Sequence, residues 1–355
     1  MKKIILLFAF CVLAVQVFSA DTIPASALVI PEIFSPGILF QPDTAANVVL
    51  MAVGDVLLDR AMGQRIDEFG TGYPFSNVVE TFKKADLVAA NLECPISAGG
   101  KAQKKKFVFR AKPFYVDALK KGYIDVVSLA NNHMLDYGSS ALLDTVRILD
   151  EAGIKRAGAG GNSDEAHRPC FIEKNGIRIA FFSYTGFMSY SKPQNYGSPC
   201  AAYADFDLEK EIRGAKKEAD IVIISFHWGG ELDDTPTVTQ RKLAHRAVMG
   251  GADVVLGHHP HTLQGIERYR GKLICYSLGN FVFTSPTPKT WDTIILELRL
   301  SKDGTVDHHI IPVRIENLRP RLANEEESRR ILAHVEKVSE GLTELASDKE
   351  TPIIK

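Results

Sequence analysis

Short apolar runs alternate with helix-like patterns from Val48 onward. Val48–Val53, Leu87–Ala90, Val126–Ala130, Ile177–Tyr184, Ile221–Phe226, Val254–Leu256, Leu273–Ser277, Thr293–Leu300 and Val306–Val313 are brief and bounded by polar or turn-forming residues, which predicts strands. Val116–Lys121, Ser140–Ala152, Leu208–Glu218, Val238–Met249 and Glu325–Leu342 predict helices, with the last extending toward Ser347 and a frayed polar tail beyond it. Strands alternating with helices predict α/β architecture. Asn175-Gly176 between two apolar runs predicts a hairpin over Phe171–Tyr184. Asp303-Gly304 predicts a second antiparallel pair, so the sheets are expected to be mixed.

The polar residues that close these runs change the picture. Six stretches, GDVLLDR, NLECPIS, SLANNHMLDYG, FHWGGE, GHHPHTLQGIE and YSLGNFVF, each follow or interrupt an apolar run. Ligands of α/β sheets gather where parallel strands end, so distant stretches can converge there. Together they offer Asp55, Glu93, Asn132, His227, His259 and His261, with His133 and His258 in reserve. Imidazole, carboxylate and amide oxygen suit divalent transition metals. The set is too large for one tetrahedral ion and fits two ions sharing a carboxylate, an arrangement that activates water for phosphoester hydrolysis.

Taken singly, most of these residues have ordinary readings. Asp55 after a glycine suits a helix cap. His227 suits a satisfied core histidine, and Asn131 and Asn132 suit a turn. GHHPH is harder to assign to packing, with three histidines in four positions. His259 and His261 flank one residue, so an extended segment would put them on one side.

Composition adds little: 45% hydrophobic, 24% charged and a formal net charge of −1 exclude a strongly basic nucleic-acid binder. The N-terminus adds more. Lys2-Lys3, an apolar stretch from Ile4 to Phe18, and Ser19-Ala20 have the layout of a secretory signal or N-terminal anchor over residues 1–20. The apolar stretch is shorter than the ~20 residues of a spanning helix. Residues 21–47, rich in Pro, Ala, Thr and Ser, read as a linker. A main domain is expected over 48–320, with a C-terminal helix and tail over 321–355. Export implies an oxidising compartment, where a Cys170–Cys200 disulfide would be compatible with the chain.

The six ordered stretches resemble the bacterial capsule-synthesis CapA/PgsA family, whose members are tied to poly-γ-glutamate production or export. The resemblance spans roughly Val48 to Arg319. That family in turn resembles the calcineurin-like metallophosphoesterases. The resemblance implies a four-layer α/β/β/α sandwich with two mixed sheets and two divalent ions, of Mn, Zn or Fe type, at the strand ends. It implies that Asp55 is the opening metal ligand, Glu93 the bridging carboxylate, Asn132 the amide ligand, His227 the mid-chain histidine, and His259 and His261 the closing pair. It gives His133 the place of the histidine that protonates the leaving group or steadies the phosphate.

Two departures stand out. Calcineurin-like enzymes begin Asp-x-His, whereas this chain has Leu57, and Glu93 replaces their bridging aspartate. His258 and Glu231 are candidates to compensate. Asp136 and Asn280 are candidates to support the ligands or touch substrate. Arg60 and Arg110 are candidate anion clamps, since guanidinium grips phosphate or carboxylate bidentately. Lys104-Lys105-Lys106 reads as a solvated loop that a polyanion would feel.

Three functions follow: a metal-dependent hydrolase at the cell envelope, a non-catalytic polymer-binding or export subunit, and a secreted generic phosphodiesterase. The expected partners are an anionic polymer or phosphoester substrate and membrane synthase subunits, with no nucleic acid.

Overall fold

The structure, a computed structural model, describes residues 47–187, 197–204 and 207–342. The expected signal segment, nearly all of the linker and the tail past residue 342 lie outside these. The strands are β1 (Asn47–Val56), β2 (Leu87–Leu92), β3 (Val126–Ser128), β4 (Lys155–Ala157), β5 (Ala159–Gly160), β6 (Cys170–Lys174), β7 (Ile177–Thr185), β8 (Cys200–Ala201), β9 (Ile221–His227), β10 (Val254–His258), β11 (Ile266–Tyr269), β12 (Lys272–Cys275), β13 (Asn280–Val282), β14 (Asp292–Ser301), β15 (Val306–Glu316) and β16 (Arg319–Leu322).

They form two large mixed sheets. The first runs β16-β15-β14-β1-β2-β3-β4, with β13 also paired to β1. In it β1, β2, β3 and β4 are parallel, while β14 and β15 close one side as antiparallel neighbours. The second runs β11-β12-β10-β9-β7-β6, with parallel β12, β10, β9 and β7 inside and antiparallel β11 and β6 at the edges. The expected hairpins at Asn175-Gly176 and Asp303-Gly304 join β6 to β7 and β14 to β15.

Burial on both faces of each sheet explains the near-continuous apolar runs. On the outer face of the first, Met51, Val53, Val88 and Val127 pack with Met62, Ile66, Leu119, Leu142 and Leu149 from helices Arg60–Phe69, Val116–Lys121 and Gly138–Glu151. On the outer face of the second, Phe182, Val222, Ile224 and Val255 pack with Leu208, Ile212, Ala244 and Ala247 from helices Leu208–Lys216 and Val238–Gly250. Residues of opposite parity, such as Leu50, Ala52, Ile179 and Ile223, are equally buried. The inner faces meet where Ser128 and Ser183 hydroxyls lie 2.6 Å apart and Ser183 Oγ accepts the Ala130 N–H. The layers are therefore α/β/β/α, as the resemblance implied.

Several boundaries differ from the sequence expectation. β3 stops at Ser128 because the chain turns there, Asn131 N donating to Leu129 O at 2.9 Å. The last helix stops at Ser339, well before Ser347: Glu340 leaves helical geometry and Gly341 takes φ 73°. Helix Arg60–Phe69 went unpredicted because it buries only Met62, Gly63 and Ile66. The four described cysteines are unpaired. Cys170 lies in edge strand β6, while Cys200 lies in the separate β5–β8 ribbon, so the disulfide considered from sequence does not form.

Candidate metal centre

The parallel strands of both sheets deliver their carboxyl ends to one place. In β1, Asp55 is in register with Asn91 of β2 and Asn280 of β13. In the second sheet, His227 of β9 is in register with His258 of β10. Glycines permit this close assembly. A Cβ on Gly54 would lie 1.9 Å from the Gly279 carbonyl oxygen, and one on Gly257 would lie 1.8 Å from that of Tyr276. Each glycine immediately precedes a site residue, so larger side chains would push Asp55 or His258 out of line.

Asp55 and Glu93 are both fully buried, and Asn91 joins them. Its amide nitrogen donates to Asp55 Oδ1 at 2.8 Å, lies 3.4 Å from Glu93 Oε2 and 3.3 Å from His227 Nδ1. Asn131 anchors it in turn, donating to Asn91 Oδ1 and to the Leu92 carbonyl. Asn131 is thus more than the turn former expected, although its own Oδ1 does accept the His133 N–H across the turn. Asn91 was not read as a site residue: it sits within an apolar strand, and its partners meet only through register.

Glu93 Oε1 is the centre of the arrangement. His261 Nε2, His227 Nε2 and His133 Nε2 lie 3.6, 3.8 and 3.9 Å away. This oxygen is buried and has no hydrogen-bond partner among the described residues. Leaving a carboxylate oxygen so placed is costly unless a cation compensates it. Glu93 also belongs to two overlapping ligand triads, Asp55–Glu93–His227 and Glu93–His259–His261, with ligand atoms within 4.8 Å of one another. Asn132 Oδ1 extends the first, lying 2.9 Å from His227 Nε2. The buried His259 Nδ1 likewise lacks a partner among the described residues. The donor set therefore fits divalent metal, with Glu93 common to both triads.

Electrostatics agree. Burial would raise the Asp55 carboxyl, but hydrogen bonds and charge from His258 and His261 hold it well below the usual carboxylate range. Burial, then the Asp55 charge, pushes Glu93 well above its ordinary value. Burial and the neighbouring imidazoles push His227 well down and His259 to about 3, which keeps both rings neutral, as ligation requires. Burial would also lower His261, but its hydrogen bond and attraction to Asp55 raise it overall.

The closing histidines reach the site by a different route from that expected. His259 has φ 95° and His261 φ 59°, so the segment is not extended. Two left-handed residues curl the chain around Pro260 and turn both rings inward. His261 Nδ1 lies 3.1 Å from Asp55 Oδ2 and 2.9 Å from Asn280 Oδ1, while Phe187 packs edge-on to His259 at 4.5 Å. His258 Nδ1 stands 3.5 Å from Asp55 Oδ1.

The remaining candidates separate. His133 presents Nδ1 to Asp136 Oδ2 at 2.8 Å and Nε2 to the cluster. Glu231 is exposed, and its charge acts on Glu93 and His261 without a direct bond among the described contacts. Arg110 is occupied away from the cluster: it donates to the Gly99 carbonyl at 2.8 Å and stacks on Tyr137 at 4.2 Å. Arg60 is exposed, donates to the Val108 carbonyl and lies over Phe109, whose ring packs on His133. Leu57 is 1% exposed within the apolar core and offers no ligand. Lys105 is not solvated as expected; it pairs with Asp136 and donates to the Asn132 carbonyl at 2.7 Å.

Comparison with known proteins shows the family to which the chain belongs. The family described as bacterial capsule synthesis protein PGA_cap matches residues 49–285. The chain belongs to this family. It is 33% identical over 284 residues to the capsule biosynthesis protein CapA of Bacillus anthracis, covering 78% of this chain and 69% of that one. It is 34% identical over 283 residues to the PGA biosynthesis protein CapA of Bacillus subtilis, covering 78% and 74%. A putative 5'-nucleotidase from Staphylococcus aureus, solved with alpha-ketoglutarate, superposes with TM-score 0.46 at 14% identity, over 81% of this chain and 58% of that structure. The match to the capsule synthesis family spans all six motifs, from Asp55 to Asn280.

Proposed function

We propose that this capsule synthesis family member is an exported, metal-dependent hydrolase of the phosphoester type, acting in the production or export of poly-γ-glutamate or a related anionic polymer. The observation that carries the reading is Glu93 Oε1, buried without a hydrogen-bond partner among the described residues and surrounded by imidazoles. Asp55, Glu93, Asn132, His227, His259 and His261 would hold two divalent cations, of Mn, Zn or Fe type. Such a pair supplies Lewis acidity and a nucleophilic water near neutral pH. His133 faces the same space with Nε2, and Asp136 fixes its other nitrogen. It is oriented to pass a proton to a leaving oxygen. Exposed Lys104, Lys106 and Arg60 near the His133 side favour an anionic substrate. Export rests on the layout of residues 1–20.

Metal analysis of purified protein, with turnover of chromogenic phosphomonoesters and phosphodiesters, tests the proposal. The expected result is about two ions per chain, as a shared-carboxylate site requires, with loss of metal and turnover in His259→Ala. Metal-free wild type, with activity unchanged in His259→Ala, would sink it. Leu57 favours a second reading, because the position of the usual histidine ligand is apolar core. In that case the fold grips polymer carboxylates without catalysis. Metal binding and polyglutamate binding without turnover would select it.

A further inference from the structure

The loop from Lys101 to Arg110 lies as a strap across the Asn131–Gly138 turn. Lys101 N donates to the Tyr137 carbonyl, Gln103 N to the Asp136 carbonyl, and Phe109 N to Asp136 Oδ2 at 2.7 Å. The strap has two sides. Lys104, Lys106 and Phe107 are exposed, whereas Phe109 is buried against His133 and the Lys105 side chain is 20% exposed. Lys105 Nζ pairs with Asp136 Oδ1, donates to the Asn132 carbonyl at 2.7 Å, and lies 3.5 Å from His133 Nδ1. One ammonium group therefore touches the main chain of the amide ligand and the carboxylate that orients the adjacent imidazole.

We propose that Lys105 is a positioning residue: it locks Asn132 and His133 into one unit by holding Asp136 and the Asn132 peptide together. Asp136 receives three groups: the His133 ring, the Phe109 N–H and the Lys105 ammonium. Without the ammonium, Asp136 keeps a buried charge with one cation fewer, and the Asn132 carbonyl loses a charge-assisted donor. Asp136 and the peptide then relax, and the imidazole loses its fixed orientation. Partners of this kind typically change activity or metal affinity by about 10–100-fold.

The test uses the full chain with Lys105→Met, which keeps the apolar stem and removes the charge. Selective nitrogen labelling of histidine, with His133→Gln for assignment, reads the His133 Nδ1–H directly. In wild type this proton, hydrogen-bonded to Asp136, exchanges slowly. In Lys105→Met it is expected to exchange faster. An unchanged His133 exchange rate overturns the proposal whatever the activity. If Lys105→Met fails to fold, Lys105→Arg, which preserves the charge, must keep the slow exchange; fast exchange in a folded Lys105→Arg also overturns it. A second arm rests on the hydrolase reading: kcat falls about 10–100-fold with KM within about threefold. Wild type without turnover defeats that reading alone, since the exchange measurement needs no substrate.

Discussion

At the entering ends of the parallel strands, Asp86, Asp125, Asp220 and Asp253 each accept a backbone N–H from the neighbouring strand: Val49, Val88, Arg178 and Val222, all at 2.8–2.9 Å. Asp253, fully buried, also receives Lys216 at 2.6 Å and Lys272 at 2.7 Å. At the leaving ends, Asp55 and Glu93 are buried together, share one Asn91 amide, and leave Glu93 Oε1 without a hydrogen bond among the described residues. The same chemical group plays opposite parts. Entering-end carboxylates tie strands together with their bonds satisfied, so they support the sheet. At the leaving ends His258 and His261 compensate Asp55, but burial and the Asp55 charge disfavour an ionised Glu93, so that carboxylate weakens the metal-free fold and favours a cation.

Changing one carboxylate at each end breaks the comparison most sharply. On the proposed hydrolase reading, Glu93→Gln is expected to lower turnover by about a thousandfold, roughly 4 kcal/mol of barrier, while the metal-free protein melts no lower than wild type. Turnover within tenfold of wild type would show that the leaving ends are not a two-ion centre. Asp253→Ala should do the reverse. It takes the carboxylate from two lysines and one N–H, costing about 3 kcal/mol in urea unfolding, while turnover per folded molecule stays constant. Because Lys216 and Lys272 keep about a third of their side chains in water, the cost falls at the low end for a broken buried pair.

Ion binding sharpens the same contrast. A divalent ion at one hundred times its dissociation constant should stabilise the wild type by about 2.7 kcal/mol, read as a rise in Tm that a chelator reverses. Asp253→Ala should keep that rise from a lower starting point, and Glu93→Gln should lose it. A rise preserved in Glu93→Gln would remove the shared carboxylate from the site.

The two ends were not equally legible in the sequence. The leaving-end residues stood out because polar side chains interrupt apolar runs, and GHHPH has few structural uses. Register then brought Asp55, Asn91 and Asn280 together, which no local pattern specifies. Asn91 was missed for that reason, and Lys105 because its neighbours Lys104 and Lys106 are solvated while it alone turns inward. The left-handed turns at His259 and His261 contradict the extended geometry that had suggested their pairing; a curled backbone, not a shared strand face, turns both rings toward Glu93. Most strands were readable because both faces of the sheets are buried. β13 is buried but only three residues long and opens on Asn280, so it forms no apolar run, and the helix Arg60–Phe69 is largely polar. The repeated aspartates at the entering ends went unread, since a lone Asp before a strand looks like any turn residue.

Those aspartates give the smallest and most discriminating effect. Asp220 accepts the Arg178 N–H at 2.8 Å and is half-buried. The nearby lysine, Lys216, donates to the Asp220 main-chain carbonyl and gives its carboxylate pairing to Asp253. Asp220→Ala therefore removes one side-chain bond to the backbone and leaves the lysine in place, at a cost of about 1 kcal/mol. The difference from Asp253→Ala then measures what two ammonium groups add to an otherwise identical strand tie. If the two substitutions cost the same, the lysines contribute nothing and backbone capping alone explains the entering ends. Ion affinity should be unchanged in Asp220→Ala, because the entering end of β9 lies a full strand length from His227 at its leaving end. A fall in affinity would mean that strand register, set at one end, controls ligand placement at the other.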